Sequence, residues 1–194
     1  MSLFLGPIHY KMYEKATRTC AFASSLALYL ETHEQYDAVQ ERLRLSPQIP
    51  QGSLEKILDL NNIHGSLREI VAIAENYLSI VLQLAQKDNL QRAVLAFAKI
   101  HGTQSAQGLF AQTIQQVWQL GEDFWVDGMP CDFGVSLKEE DNTFQAHIKR
   151  EVHPAFTDFY FEVRGTWISA FAQYFSYHVT VKELNTYIFT KEKS

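Results

Sequence analysis

The feature that most restricts the fold of this sequence is a long stretch without glycine or proline, residues 8–31. Within it, apolar or small residues recur at steps of three or four positions: Met12, Ala16, Thr19, Ala23, Leu26 and Leu30. A helix turns once every 3.6 residues, so this spacing places them all on one face. The stretch therefore predicts a long amphipathic α-helix that buries that face.

Similar helical patterns cover most of the chain. They occupy residues 34–45, 54–60, 66–87 and 156–174, and another helix is predicted to start at Thr143. A further pattern, residues 89–120, predicts either one helix that Gly102 and Gly108 weaken locally or two separate helices. The chain has 194 residues, which suits a single domain with a sizeable core. We therefore predict a mainly α fold, a bundle of about five or six helices in one domain spanning residues 1–194.

The last segment changes from a helical period to a period of two. Tyr177, Val179 and Val181 alternate with polar residues, and residues 186–190 are rich in β-branched and aromatic side chains. We predict a C-terminal β-hairpin at about residues 177–190, in which Tyr177–Val181 pairs with Thr186–Thr190. An isolated hairpin is marginal in water. It must therefore lie on the helices, pair with a short extended piece at residues 124–126, or pair with a second subunit.

Composition and charge exclude several classes of protein. Hydrophobic residues make up 46% of the chain and charged residues 20%, a balance typical of globular proteins. The net charge of −5 argues against a nucleic-acid surface, which needs clustered Lys and Arg. The longest apolar stretch, Ala21–Leu30, is too short to span a bilayer, and a secretion signal is not recognisable. We therefore expect a cytoplasmic protein without nucleic-acid or membrane partners. The redox state of Cys20 and Cys131 stays open.

A turn-rich connection in the middle of the chain carries the candidate site. Gly128 and Pro130 predict a turn, and Cys131 and Asp132 stand at its end. Three histidines occur in similar surroundings elsewhere, each after an isoleucine and two of them before a glycine. Imidazole, thiolate and carboxylate groups that converge inside a helical bundle suit Zn, Fe or Ni. The sequence thus predicts a divalent transition-metal site whose ligands are His9, His64, His101, Cys131 and Asp132.

Other interpretations use the same residues. Cys131 can be a nucleophile that a nearby His activates and an Asp orients, in a hydrolase of a small amide or thioester. The chain can also be a non-catalytic helical module that dimerises through its hairpin. Each His can instead be a hydrogen-bonded core residue, the glycines after His64 and His101 can allow close helix packing, and Cys131 can be a small buried apolar side chain. Whether the protein catalyses a reaction is open at this stage, and the pattern allows a small-molecule partner and a homodimer.

Three short motifs point to a resemblance. The chain contains Leu5-Gly6-Pro7-Ile8-His9, an internal Ile-His-Gly at residues 63–65, and Gly128-Met129-Pro130-Cys131-Asp132. With these motifs it resembles a group of bacterial helical proteins that share an LGPIH helix start, an IHG and a GMPCD loop, and the resemblance implies no activity. The C-terminal half, a Cys-Asp step followed by a helix and a hairpin, is also similar to the amino-thiazoline carboxylate hydrolase-like family. That similarity carries no catalytic residue over to this chain.

Overall fold

Seven α-helices and one four-stranded antiparallel sheet form the part of the chain that the structure, a computed structural model, describes: residues 5–140 and 143–191. The helices are α1 (Pro7–Glu34), α2 (Ala38–Arg44), α3 (Leu54–Ile57), α4 (Ile63–Lys87), α5 (Gln91–Ala106), α6 (Ile114–Glu122) and α7 (Asp158–Gln173). The strands are β1 (Val135–Glu140), β2 (Thr143–Ile148), β3 (Tyr177–Lys182) and β4 (Thr186–Lys191). Short 3₁₀ turns lie at Pro130–Asp132 and Arg150–Val152. The mainly α fold is confirmed.

The first long helix follows the predicted periodicity. α1 begins at Pro7, whose missing N–H is harmless in a first turn, and it buries the predicted stripe from Met12 to Leu30. α4 begins at Ile63, three residues before the predicted start, because the Asn62 side chain accepts a hydrogen bond from the Gly65 N–H at 3.2 Å. Residues 89–120 form two helices, α5 and α6, and Gly108 lies between them with a φ of +78°.

α5 packs closely on α7, the most aromatic helix. Trp167, Tyr160 and Phe171 of α7 are almost fully buried and form the centre of the main hydrophobic core. Gly102 of α5 lies against the backbone of α7. A Cβ added there would collide with the Trp167 carbonyl oxygen and would lie 3.3 Å from Ala170 Cβ. The glycine after His101 therefore allows close helix packing, one of the two roles that the sequence suggested.

The sheet has the strand order β1-β2-β4-β3, and all of its pairs are antiparallel. β3 and β4 form the predicted hairpin, which is extended by one residue in each strand. The hairpin lies on the helices, and β4 also pairs with β2, with Phe144 opposite Phe189. The prediction that Thr143 starts a helix is wrong. Phe144, Ala146 and Ile148 are buried, whereas the residues between them are only partly buried, as expected for a strand with one covered face.

The buried apolar residues form two clusters. The larger contains Phe22 and Leu26 of α1 together with side chains of α4, α5, α7 and the sheet. The smaller joins the first half of α1 to α3, the first half of α4, Val126 and Met129. Over the described residues, none of the helices has the length and apolarity that crossing a bilayer requires. The predicted cytoplasmic location stays a prediction.

Candidate functional site

The connection at residues 127–132 forms the turn that its glycine and proline predicted. Gly128 adopts a φ of +71°, a conformation that residues with side chains rarely adopt. Pro130 opens a 3₁₀ turn, and the Met129 N–H donates a hydrogen bond of 2.8 Å to Asp132 Oδ2. Cys131 is exposed, and its thiol lies 3.9 Å from Asp132 Oδ1. The Asp132 side chain thus closes its own turn.

The three predicted histidine ligands lie in two different places. The rings of His9 and His64 are neighbours, with centroids 5.8 Å apart, and His9 Nδ1 accepts a hydrogen bond of 2.8 Å from the Gly6 N–H. His101 lies instead in the main core, where Trp167 Nε1 donates to its Nδ1 at 2.9 Å. Burial lowers the pKa of His101, which favours the neutral ring.

The predicted transition-metal site is therefore wrong. Across residues 5–140 and 143–191, no three His, Cys, Asp or Glu side chains come together in an arrangement that could hold a metal ion. The physical reason is that the candidates are already engaged locally: His9 caps its own helix, His101 bonds to Trp167, and Asp132 closes the turn.

The alternative role of Cys131 as a nucleophile requires an activating His. Among the described residues, the hydrogen-bond partner of its thiol is Asp132. The nucleophile–base pair of such a hydrolase is therefore absent from this part of the chain. Both cysteines are free, and burial raises the pKa of Cys20 to about 11. Burial thus disfavours the thiolate at Cys20, the form that a nucleophilic cysteine requires.

A buried network of four charged groups lies behind the turn. The Arg164 guanidinium of α7 binds both carboxylate oxygens of Asp127, and its Nη2 donates to Oδ2 at 2.8 Å. His153 donates from Nε2 to Asp127 and from Nδ1 to Glu75 of α4, both at 3.2 Å. Arg164 and the His153 side chain are completely buried. The network therefore joins α4, the central turn, the segment before α7 and α7 itself.

The electrostatics of this network shift the pKa values of Asp127 and His153 in opposite directions. Burial by itself disfavours the charge on Asp127, but the Arg164 guanidinium and the hydrogen bond from His153 outweigh it and hold the Asp127 pKa well below its usual range. Burial also opposes the charge on His153, yet the hydrogen bonds to Asp127 and Glu75 raise its pKa. Since both ring nitrogens face carboxylates, both donate only when the imidazole is protonated. The protonated imidazole then donates to the side chains of both Asp127 and Glu75.

The network was not predicted from the sequence, although the position of Arg164 is one signal of it. Arg164 lies four residues after Tyr160 and three before Trp167, on the same face of an aromatic helix. A charge on the buried face of a helix requires a buried partner. Asp127 lies in the central turn, but its partners His153 and Arg164 are 26 and 37 residues away in sequence. Each acid and base in the network is paired, so it suits a structural role.

The opposite face of α7 borders a cleft, here called the α7–β3 cleft. Its volume is about 520 Å³. The floor is made of small α7 residues, Gly165, Thr166, Ser169 and Ala170, and the wall is β3 with Tyr177, His178, Val179 and Val181. Polar side chains of Lys99, Glu162 and Gln173 stand at its rim. The cleft exists because the α7 residues on this face are too small to fill the space beneath β3.

A second, smaller hollow lies beside the central turn. It has a volume of about 270 Å³ and is lined by Met129, Phe133 and residues of α1. Its polar lining is already committed, because Lys15 and Lys11 form ion pairs with Glu122. Of these two cavities, the α7–β3 cleft therefore leaves more of its polar groups available to a ligand.

Comparison with known proteins does not place this chain in a family. No protein-family model, curated protein or solved structure matches this chain significantly. The resemblance through the LGPIH, IHG and GMPCD motifs stays a prediction, as does the homodimer.

Proposed function

We propose that this protein is a ligand-binding protein whose site is the α7–β3 cleft. The observation that carries the proposal is the size and lining of the cleft: about 520 Å³, a mostly apolar surface, and a few polar groups. Sites for organic ligands typically measure about 300–1,000 Å³ and combine apolar walls with a few placed polar groups. The cleft has both properties.

Binding without catalysis is the function that this lining favours. Of the titratable side chains that line the cleft, Lys99, Glu162 and His178 are exposed and Tyr177 is buried. Large pKa shifts occur at Asp127, Arg164 and Tyr160, none of which lines the cleft. Arg164 and the floor residues lie on opposite faces of α7, because residue 164 is about half a helical turn away from residues 162, 166 and 169. Shifted groups outside the cleft offer no acid or base to a ligand inside it.

The test is a screen of small organic fragments against the ¹⁵N-labelled chain, read out by amide chemical shifts. We expect binding fragments to shift amides of residues 162–173 and 177–184. The variant Ser169→Trp fills the cleft from its floor, so the same fragments should lose binding. Thr180→Trp serves as the matched control, because Thr180 is exposed and on the other face of β3. Shifts that cluster at the turn of residues 127–132, or persist in Ser169→Trp, would contradict the proposal.

A further inference from the structure

The two edges of the sheet differ in how well they are protected. Among the described strands, β1 and β3 have one partner each, so along its outer side each presents backbone N–H and C=O groups that no other described strand pairs with. β1 ends with Lys138, Glu139 and Glu140, and charges of this kind discourage pairing with another strand. β3 reads Tyr-His-Val-Thr-Val-Lys, with one charge at its end and no proline. β3 is therefore the unprotected edge.

The α7–β3 cleft runs along this unprotected edge. Chain direction reverses after α7, so β3 lies antiparallel to it: Tyr177 follows the C-terminal end of α7, and Val181 packs over Gly165. A groove between an edge strand and a helix is a recurring site for extended peptides, which add a strand to the sheet and place alternate side chains in the groove.

We propose that the ligand of the α7–β3 cleft is an extended peptide segment that pairs with β3 as a fifth strand of the sheet. This inference rests on the proposed function and names its ligand class. β3 has six residues, so the segment has about six residues and spans about 20 Å. An extended peptide backbone repeats its N–H donors and C=O acceptors at the same spacing as the backbone groups along the β3 edge. A compact small molecule has no such repeat.

The lining of the cleft defines the side chains that the peptide carries. One face of the added strand lies over Thr166 and Ser169, which line the cleft, are partly buried and donate their hydroxyl hydrogen bonds to carbonyls of α7. Alternate peptide residues on that face are therefore small or medium apolar ones, because the charged lining residues, Lys99 and Glu162, stand at the rim of the cleft. Residues on the other face point to solvent beside His178 and Thr180 and are free to be polar.

The probe is a phage-displayed library of random heptapeptides, selected on the immobilised full chain. Enriched peptides are synthesised and their Kd measured by fluorescence polarisation, first unmodified and then with a single N-methyl group at each position in turn. Strand pairing predicts that N-methylation at every second residue weakens binding about tenfold, the loss of one backbone hydrogen bond with its steric clash. The intervening positions should change less than about threefold, because their N–H groups face away from β3.

Two variants test which edge of the sheet binds the peptide. Ser169→Trp should abolish binding, and Ser136→Trp on β1 should leave Kd unchanged, since β1 is the other edge. The N-methyl scan uses the unmodified protein, so it decides the question even if Ser169→Trp fails to fold.

Three results would overturn the inference: no enriched peptide that binds, binding that lacks the alternating response to N-methylation, or loss of binding in Ser136→Trp. If small fragments occupy the cleft but no peptide does, the peptide inference fails and the binding function stands. If neither binds, both fail.

Discussion

Removing one partner of the Asp127–Arg164 pair is the sharpest test of the buried network. Arg164 is fully buried, and the Asp127 side chain retains 6% of its accessible surface. Asp127→Asn leaves the guanidinium charge in the core without its counter-ion. Breaking a buried pair in this way typically costs about 3–5 kcal/mol, which is a large fraction of the stability of an average domain. We expect Asp127→Asn and Arg164→Met each to lose about that much.

The chain supplies a matched control for this experiment. Arg150 and Asp158 form an ion pair of the same residue types at 2.6 Å, but their side chains are 43% and 71% exposed. Solvent screens an exposed pair, so Asp158→Asn should cost less than about 1 kcal/mol. The unfolding free energies come from urea titrations followed by circular dichroism, with unchanged m-values as the sign that the native state is intact.

The double variant completes the cycle. If Asp127 and Arg164 stabilise the fold chiefly through each other, the pair Asp127→Asn/Arg164→Met should cost less than the sum of the single variants by at least about 2 kcal/mol. Equal losses for Asp127→Asn and Asp158→Asn, or strictly additive single losses, would refute the argument that the network is a coupled unit in the core.

Three further predictions concern other residues. The raised pKa of His153 means that its stabilising contribution is fully present below its ordinary pKa of 6.5 and is lost as the pH rises through the raised value. Urea midpoints should therefore fall as the pH rises above 6.5, and His153→Gln should flatten that fall. Gly102→Ala should lower stability by about 1–3 kcal/mol, because the added methyl group forces α5 away from the α7 backbone; a melting temperature equal to wild type would contradict this. In the folded protein at about pH 8, a thiol reagent should label Cys131 quickly and Cys20 slowly, because Cys131 is exposed and burial raises the pKa of Cys20 to about 11. Equal labelling rates would rule out that difference.

The helices were predictable because local spacing determines them. The apolar stripe of α1 and the pattern of α4 repeat over many turns, so no other regular structure accommodates them. The terminal hairpin was equally visible, since Tyr177, Val179 and Val181 alternate strictly with polar residues. In these segments the local pattern and the tertiary packing require the same conformation.

β2 could not be assigned from its sequence because its pattern fits two periods. Phe144, Ala146 and Ile148 alternate as in a strand, yet Phe144 and Ile148 are also four residues apart, as on one helix face. What decides between them is pairing with β4, whose residues lie about 40 positions later in the sequence. Single-sequence patterns carry no information on that pairing.

The prediction of a metal site was wrong for a related reason. His9, His64 and His101 share their neighbouring residues in the sequence, but similar local surroundings do not place side chains together in space. His9 and His64 do become neighbours, whereas His101 pairs with Trp167. The residues that do converge are Asp127, His153 and Arg164, which have no common motif. Their meeting depends on how α7 docks, and no local pattern records that.

The dependence of the core on α7 has a consequence for how this protein is made. α5 has its most extensive contacts with α7, and the largest fully buried side chains, Trp167 and Arg164, belong to α7. While the ribosome has synthesised only residues 1–150, Asp127 and Glu75 have no cationic partner from α7 or His153, and the apolar face of α5 stays uncovered. We therefore expect this part of the chain to fold only once α7 has been synthesised. Nonsense truncation upstream of residue 158 should yield a substrate for chaperones and proteases rather than a smaller stable domain.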